Sequence, residues 1–393
     1  MIERRLAATL KKRVEEFPVV TVTGPRQSGK TTLVRACFPD YSYANLEDPE
    51  TRELAESDYK RFLEIFPAPL VVDEIQRVPK LASAIQVAVD ANRQRNGQYI
   101  LTGSHQPLLR QTVTQSLAGR SAFLRLLPLS IAEQKTALGG ADLGPDALVL
   151  RGGMPELVAT GRDPDIYYRA YLQSYLERDV RLISGIRHAS AFNRFLVLLA
   201  GRVGQLLNLN SLSGEVGVSH TTLSEWLEVL EASFVTFRLR PWFAKVSKRL
   251  VKTPKIYFSD TGLAAHLLGL KTVSQVSRDP LRGNLFENLV VSDFVKETFN
   301  RDGGEDELFF FRTSDGLEID LLRRRDGGMQ PVEIKSSMTY SGALVSGLSS
   351  YRKLFPDCPE PTLVYAGRTL GGSGPVKCMN FLDIAATAEF SCE

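Results

Sequence analysis

Gly24-Pro25-Arg26-Gln27-Ser28-Gly29-Lys30-Thr31 fits the pattern G-x-x-x-x-G-K-S/T, and its flanks read as that pattern requires. Val19-Val20-Thr21-Val22-Thr23 before it is an apolar, β-branched run, read as a buried strand. Thr32-Leu33-Val34-Arg35 after it opens a helix. Backbone N–H groups of such a loop cradle phosphates, helped by the positive end of the helix dipole. In this reading Gly24 to Thr32 hold a nucleotide, Lys30 reaches the β- and γ-phosphates, and the Thr31 hydroxyl ligates Mg²⁺. The expected ligands are therefore ATP and Mg²⁺.

The rest of the chain bounds the setting. At 393 residues it is long for one domain, and 43% hydrophobic with 24% charged residues is ordinary for packed cores. A net charge of +3 says little about partners. Cys37, Cys358, Cys378 and Cys392 are scattered, which disfavours a zinc site or disulfide framework and fits a reducing cytosol. The start, Met1-Ile2-Glu3-Arg4-Arg5, leads into an amphipathic charged helix, and no apolar run is long enough to span a membrane. The four histidines show no ligand spacing. The expected location is cytoplasmic, with no membrane partner.

Residues 1–137 read as alternating strands and helices. Leu70-Val71-Val72-Asp73-Glu74 is an apolar strand ending in two acids. Ligands of open α/β sheets bind at the carboxyl ends of strands, which places Asp73 to hold Mg²⁺ through water and Glu74 to polarise the attacking water. Gln98–Ser104 is another strand, and Thr102 or Ser104 at its end is a candidate sensor of the γ-phosphate. Arg120, at a helix end before the strand Ala122–Leu127, is either an arginine finger acting on a neighbouring subunit or a helix C-terminal residue answering the dipole. Arg110 and Arg125 are weaker candidates.

The series GPRQSGKTT, LVVDEIQ, ILTGSH, SLAGR and PLSIAEQ resembles the AAA-type ATPases of bacteria and archaea that carry a C-terminal domain of unknown function, DUF4143. GGMPE at Gly152–Glu156 and the later SDTGL and EIK segments fit the same resemblance. It implies a five-stranded parallel core of the AAA+ type and assembly into a ring, a hexamer by family analogy.

Residues 138–204 read as a helical lid or linker, and 205–270 as a winged helix. Leu212 and Val216 mark one helix, Gly217 permits a turn, and Thr221–Glu231 forms a second helix capped by Ser219. Between Glu231 and Asp260 there is no acid, while Arg238, Arg240, Lys245, Lys248, Arg249, Lys252 and Lys255 stand in that interval. A basic hairpin after a helix-turn-helix is a wing suited to lie along phosphates, so DNA is the expected partner of Arg238–Lys255.

Residues 271–393 end the chain. Two strands joined by Arg323-Arg324-Arg325-Asp326-Gly327-Gly328 read as a hairpin. A turn at Asp326-Gly327 sets Asp320 opposite Glu333, with Lys335 on the same face; a Gly327-Gly328 turn keeps the face, and a three-residue loop breaks it. Asp320, Glu333 and Lys335, with Glu287 on a preceding helix, resemble the PD-(D/E)XK nuclease pattern. That resemblance implies two acids holding Mg²⁺ or Mn²⁺ and a lysine steadying the attacking water.

The expected fold is thus α/β: a P-loop AAA+-type parallel sheet with a helical lid, then a winged helix and a restriction-endonuclease-like α/β domain. The expected function is an ATP-hydrolysing ring protein that binds and remodels DNA, with metal-dependent cleavage of branched or structured DNA as a further activity. The alternative is an ATP-gated protein-interaction switch with a non-catalytic nuclease-like domain.

Overall fold

The buried run Val19–Thr23 forms a strand inside a five-stranded sheet. The computed structural model describes residues 2–104, 117–140, 143–176, 189–243, 250–370 and 374–387. They fall into two compact units: Met1–Pro128 with Ala232–Phe234 and Phe299–Asp302, and the remainder from Leu129 onward. His105, Arg110, Lys245, Lys248, Arg249 and Cys392 lie outside the described residues.

Unit 1 runs α1 (Leu6–Glu16), β1 (Val19–Thr23), α2 (Lys30–Cys37), β2 (Ser42–Asn45), α3 (Pro49–Ser57), α4 (Tyr59–Ile65), β3 (Leu70–Asp73), α5 (Leu81–Ala91), β4 (Tyr99–Gly103) and β5 (Ser121–Arg125). The strands are parallel, in the order β2-β3-β4-β1-β5. Val20, Val22, Val71, Ile100 and Leu124 pack against Leu6, Leu10 and Val14 of α1 and Leu33 and Val34 of α2. On the other face Val19, Leu70, Val72 and Leu101 meet Phe62, Leu81, Ile85 and Val89. Burial on both faces is why these strands are continuously apolar rather than alternating. Each Val, Leu or Ile so buried contributes roughly 1.5–3 kcal/mol, which short helices such as α4 need because alone they are unstable. After β1 the chain crosses to the far edge at β2 and works back, so strand order reverses at β1. The crevice at the carboxyl ends there is where such sheets bind ligands.

The later elements are α6 (Ile131–Ala137), α7 (Pro145–Arg151), α8 (Pro155–Thr160), α9 (Pro164–Tyr171), α10 (Ala189–Ala200), α11 (Leu209–Val216), α12 (His220–Ala232), β6 (Thr236–Leu239), β7 (Lys255–Phe258), α13 (Thr261–Leu267), α14 (Val273–Arg278), α15 (Arg282–Asn300), β8 (Leu308–Arg312), β9 (Glu318–Arg325), β10 (Gly328–Lys335), α16 (Ser346–Leu354), β11 (Thr362–Tyr365) and β12 (Lys377–Asn380). A mixed sheet has the order β12-β11-β10-β9-β8, with β8–β9–β10 antiparallel and β10–β11–β12 parallel. β6 and β7 form an antiparallel pair after the two helices α11 and α12.

Unit 2 takes in segments that the sequence divides at 137, 204 and 270, because bonds cross each of those places. Ile131 N–H donates to Asp293 (2.7 Å), and Lys255 pairs with Glu287 (2.9 Å). Asp260 gathers the GGMPE and SDTGL segments. It accepts from Gly153 N–H (2.7 Å), Leu263 N–H (3.1 Å) and the buried Tyr168 hydroxyl (2.5 Å). A side chain at Gly152 would bring its Cβ within 2.3 Å of both Asp260 Oδ1 and Tyr168 OH, and its φ of 71° already favours glycine. Those two sequence signatures are therefore one packing joint.

Candidate functional site

At the carboxyl ends of β1, β3 and β4 the P-loop and the strand acids meet. Gly24 closes the loop: a Cβ there would fall 2.0 Å from the Leu126 carbonyl oxygen. Pro25, Arg26, Gln27 and Ser28 follow, with Gln27 in the left-handed region (φ 61°), and Gly29 precedes α2. Arg4 supports the loop from outside it, donating to Ser28 O (2.6 Å) and Leu127 O (2.7 Å). Lys30 is buried and donates to the carbonyls of Gly24 (3.1 Å) and Pro25 (2.9 Å). Burial pushes its pKa down, against the opposing pull of Glu74 and Asp73. Thr32 follows Thr31 in the first turn of α2 and is exposed.

Thr31 Oγ1 donates to Asp73 Oδ2 at 2.8 Å. Tyr43 OH donates to the same oxygen (2.8 Å), and Thr102 Oγ1 donates to Asp73 Oδ1. This carboxylate is thus held by three hydroxyls. A strand-end carboxylate beside a threonine hydroxyl is a hard oxygen-donor pair, the type Mg²⁺ selects, and the residues fit that ion. Glu74 is in the left-handed region (φ 56°), a strained conformation for a residue with a side chain. Ser104 Oγ (3.1 Å) and Gln76 Nε2 donate to its Oε2. Sequence reasoning missed Arg4, Tyr43 and Gln76. Only Gln76 lay within a quoted motif.

Arg120 stands at the opposite end of the sheet. Its carbonyl accepts from Val19 N–H at the start of β1, and its guanidinium makes a two-pronged bond to Asp90 (2.8 and 3.0 Å). Its guanidinium is bound to Asp90 and not to the P-loop of the same chain. Arg125 lies over the Phe299 ring (4.7 Å).

In unit 2 the hairpin turns at Asp326-Gly327. Arg325 pairs with Gly328 and Leu321 with Val332, and Asp320 and Glu333 are the next residues on their strands. Asp320 Oδ2 accepts from Ile334 N–H (2.9 Å) and Lys335 Nζ (3.2 Å), and Lys335 also meets Glu333 Oε1 (2.6 Å). Glu287 is joined by Tyr257 OH (2.6 Å) and by Lys255 Nζ (2.9 Å), which also reaches Glu318 (2.6 Å) and lies 4.0 Å from Asp320. Burial, partly offset by Lys255, pushes Glu287 up to about 7. Burial and the Asp320 charge push Glu333 up to about 7.

This corrects two expectations. Lys255 is not part of an outward basic wing: it is buried among carboxylates. Arg238 is not uncompensated either, since Glu231 takes it through both oxygens (2.6 Å each). The partners of Lys255 lie in later elements, beyond a local count of charges, whereas Glu231 stands just outside the acid-free interval. The hairpin arms are also engaged, for Phe310 N–H donates to Arg240 O (3.0 Å), Trp242 N–H to Phe310 O (2.8 Å) and Val251 N–H to Arg312 O (3.0 Å). They cover the edge of β8, which would otherwise be open to pairing. Arg240 and Lys252 remain exposed.

The acids of unit 2 already have ammonium groups seated among them, which an entering divalent ion would have to displace or face. Asp320 Oδ2 already accepts two N–H donors, and two ammonium groups occupy the cluster. Among the described residues no three carboxylate, imidazole or thiol groups converge as a ligand set.

Known proteins resemble this chain in the same order of parts. Residues 16–135 match an AAA domain, 145–274 a domain of unknown function (DUF8612), and 282–377 a domain of unknown function (DUF4143). An uncharacterized protein of Mycobacterium tuberculosis is 32% identical over 87% of this chain and 76% of its own length, and one of Mycobacterium bovis matches equally. A Walker-type ATPase of Pyrococcus abyssi superposes with a TM-score of 0.41 at 15% identity, over 68% of this chain and 96% of that one. Among the described residues no helix is long and apolar enough to cross a membrane.

Proposed function

For a chain that belongs to the AAA-type ATPases with a C-terminal DUF4143 domain, we propose that Lys30, Thr31, Asp73 and Glu74 hydrolyse ATP, and that hydrolysis drives remodelling of DNA held by unit 2. The 2.8 Å contact between Thr31 and Asp73 carries the reading, because it joins the P-loop and the strand-end acid in one oxygen-donor set. Thr31 and Asp73 would hold Mg²⁺ there, and the ion would supply charge neutralisation for the phosphates. On nucleotide binding Lys30 leaves the Gly24 and Pro25 carbonyls for phosphate oxygens. Glu74, steadied by Ser104 and Gln76, orients the attacking water. Arg120 acts across a subunit boundary in a ring, a hexamer by family analogy, once released from Asp90. Lys30→Ala is expected to abolish ATP turnover in a phosphate-release assay, and unchanged turnover would refute the site.

For the DNA partner, we read α11–α12 with β6–β7 as a winged helix and α15 with β8–β12 as a nuclease-like fold. Arg240 and Lys252 support phosphate contact, together with the basic residues of 244–249. Neutralising Arg240, Lys245, Lys248, Arg249 and Lys252 is expected to abolish salt-dependent DNA binding. A second reading, the ATP-gated protein-interaction switch, is favoured by the exposed face of α12, which offers Glu225 and Glu228 rather than cations. Absence of DNA affinity at low salt selects that reading.

A further inference from the structure

We propose that Lys255 is the built-in cation of the acidic pocket in unit 2, seated in place of a divalent metal, so that this pocket holds the fold together without metal and does not cleave phosphodiesters. The inference concerns unit 2 alone and stands apart from ATP hydrolysis. Lys255 is 2% exposed, and its ammonium meets carboxylates from two separate elements: Glu287 on α15 and Glu318 on β9. Asp320, also on β9, lies 4.0 Å away. A lysine ammonium is a compact point charge on a flexible stem, which lets it take a position between converging carboxylates much as an ion does. Further groups meet these acids, while Glu333 Oε2 is buried without a hydrogen-bond partner. Tyr257, two residues along β7 and on the same side of the strand, donates to Glu287. Arg312 takes the other oxygen of Glu318 (2.8 Å), and Lys335 bridges Asp320 and Glu333. Four carboxylates thus face three fixed cations. A metal entering this pocket would have to displace Lys255, whose stem is buried in β7, and would meet the repulsion of Lys335. The cluster ties β7 to α15 and β9, joining the helix-turn-helix segment to the mixed sheet.

The test counts bound Mn²⁺ by electron paramagnetic resonance on full-length, nucleotide-free protein. Wild type and Asp320→Asn are expected to bind the same number of ions. Lys255→Met is expected to gain one, lost again in Lys255→Met/Asp320→Asn, and Mn²⁺ should raise its melting temperature. A wild-type Mn²⁺ site that Asp320→Asn removes overturns the proposal. So does Mn²⁺-dependent DNA cleavage that Asp320→Asn abolishes, or a folded Lys255→Met that gains no ion. Where Lys255→Met does not fold, the wild-type and Asp320→Asn pair decides. ATP turnover at the P-loop is untouched by each of these outcomes, so its failure is read separately.

Discussion

Lys30 and Lys255 are both buried ammonium groups, and their surroundings are opposite. Lys30 rests on two backbone carbonyls, and burial drives its pKa down. Lys255 is opposed by burial too, yet Glu287, Asp320 and Glu318 outweigh it and push the pKa up. The first is a charge without a counter-charge in contact, suited to receive phosphate. The second is already satisfied. Their neighbouring acids repeat the contrast. Asp73 is held by hydroxyls, which carry no counter-charge, whereas Asp320 has an ammonium bonded to it. On the reading proposed here, the open site does chemistry with what it binds and the filled one supplies cohesion.

The contrast breaks at its strongest point if Glu74→Gln still turns over ATP. Loss of a water-orienting base costs on the order of 100- to 10,000-fold, so that variant is expected to bind a fluorescent ATP analogue normally and release almost no phosphate. Next in size is the effect of removing each lysine on folding. Lys255→Met leaves buried carboxylates without their cation and is expected to cost about 3–5 kcal/mol by urea unfolding. Lys30→Met, which removes a charge that burial disfavours, is expected to leave the urea midpoint unchanged or raise it. Equal losses for the two variants would erase the distinction.

The smallest effect is a pH dependence. Glu333 titrates near 4.5 when unfolded and at about 7 when folded, since burial and Asp320 disfavour its charge. Between those values the native state holds the proton and the unfolded state has lost it, so this group's contribution to stability falls as pH rises from about 4.5 to about 7. Glu333→Gln is expected to flatten that fall in urea midpoints measured across the range. An unchanged slope would mean that Glu333 is not the group responsible.

The fold of unit 1 was legible because its signals are local: a loop motif between a strand and a helix, and apolar runs ending in acids. The hairpin register was legible for the same reason, since the Asp326-Gly327 turn pairs Arg325 with Gly328 and Leu321 with Val332. Arg4, Tyr43 and Lys255 were not. Arg4 sits in a charged chain start, and only the fold brings it to Ser28. Lys255 closes a run of basic residues, and its partners on α15 and β9 come from later elements. Local charge counting reads such a lysine as solvent-facing, because long-range pairing leaves no mark on the neighbouring residues.

The most direct test sets Asp73→Asn beside Asp320→Asn and follows Mg²⁺-dependent phosphate release from ATP. Loss of turnover in Asp73→Asn, with Asp320→Asn retaining it, is the expected result. Turnover that survives in Asp73→Asn, or that disappears equally in both, would contradict the assignment of the exchangeable ion to unit 1.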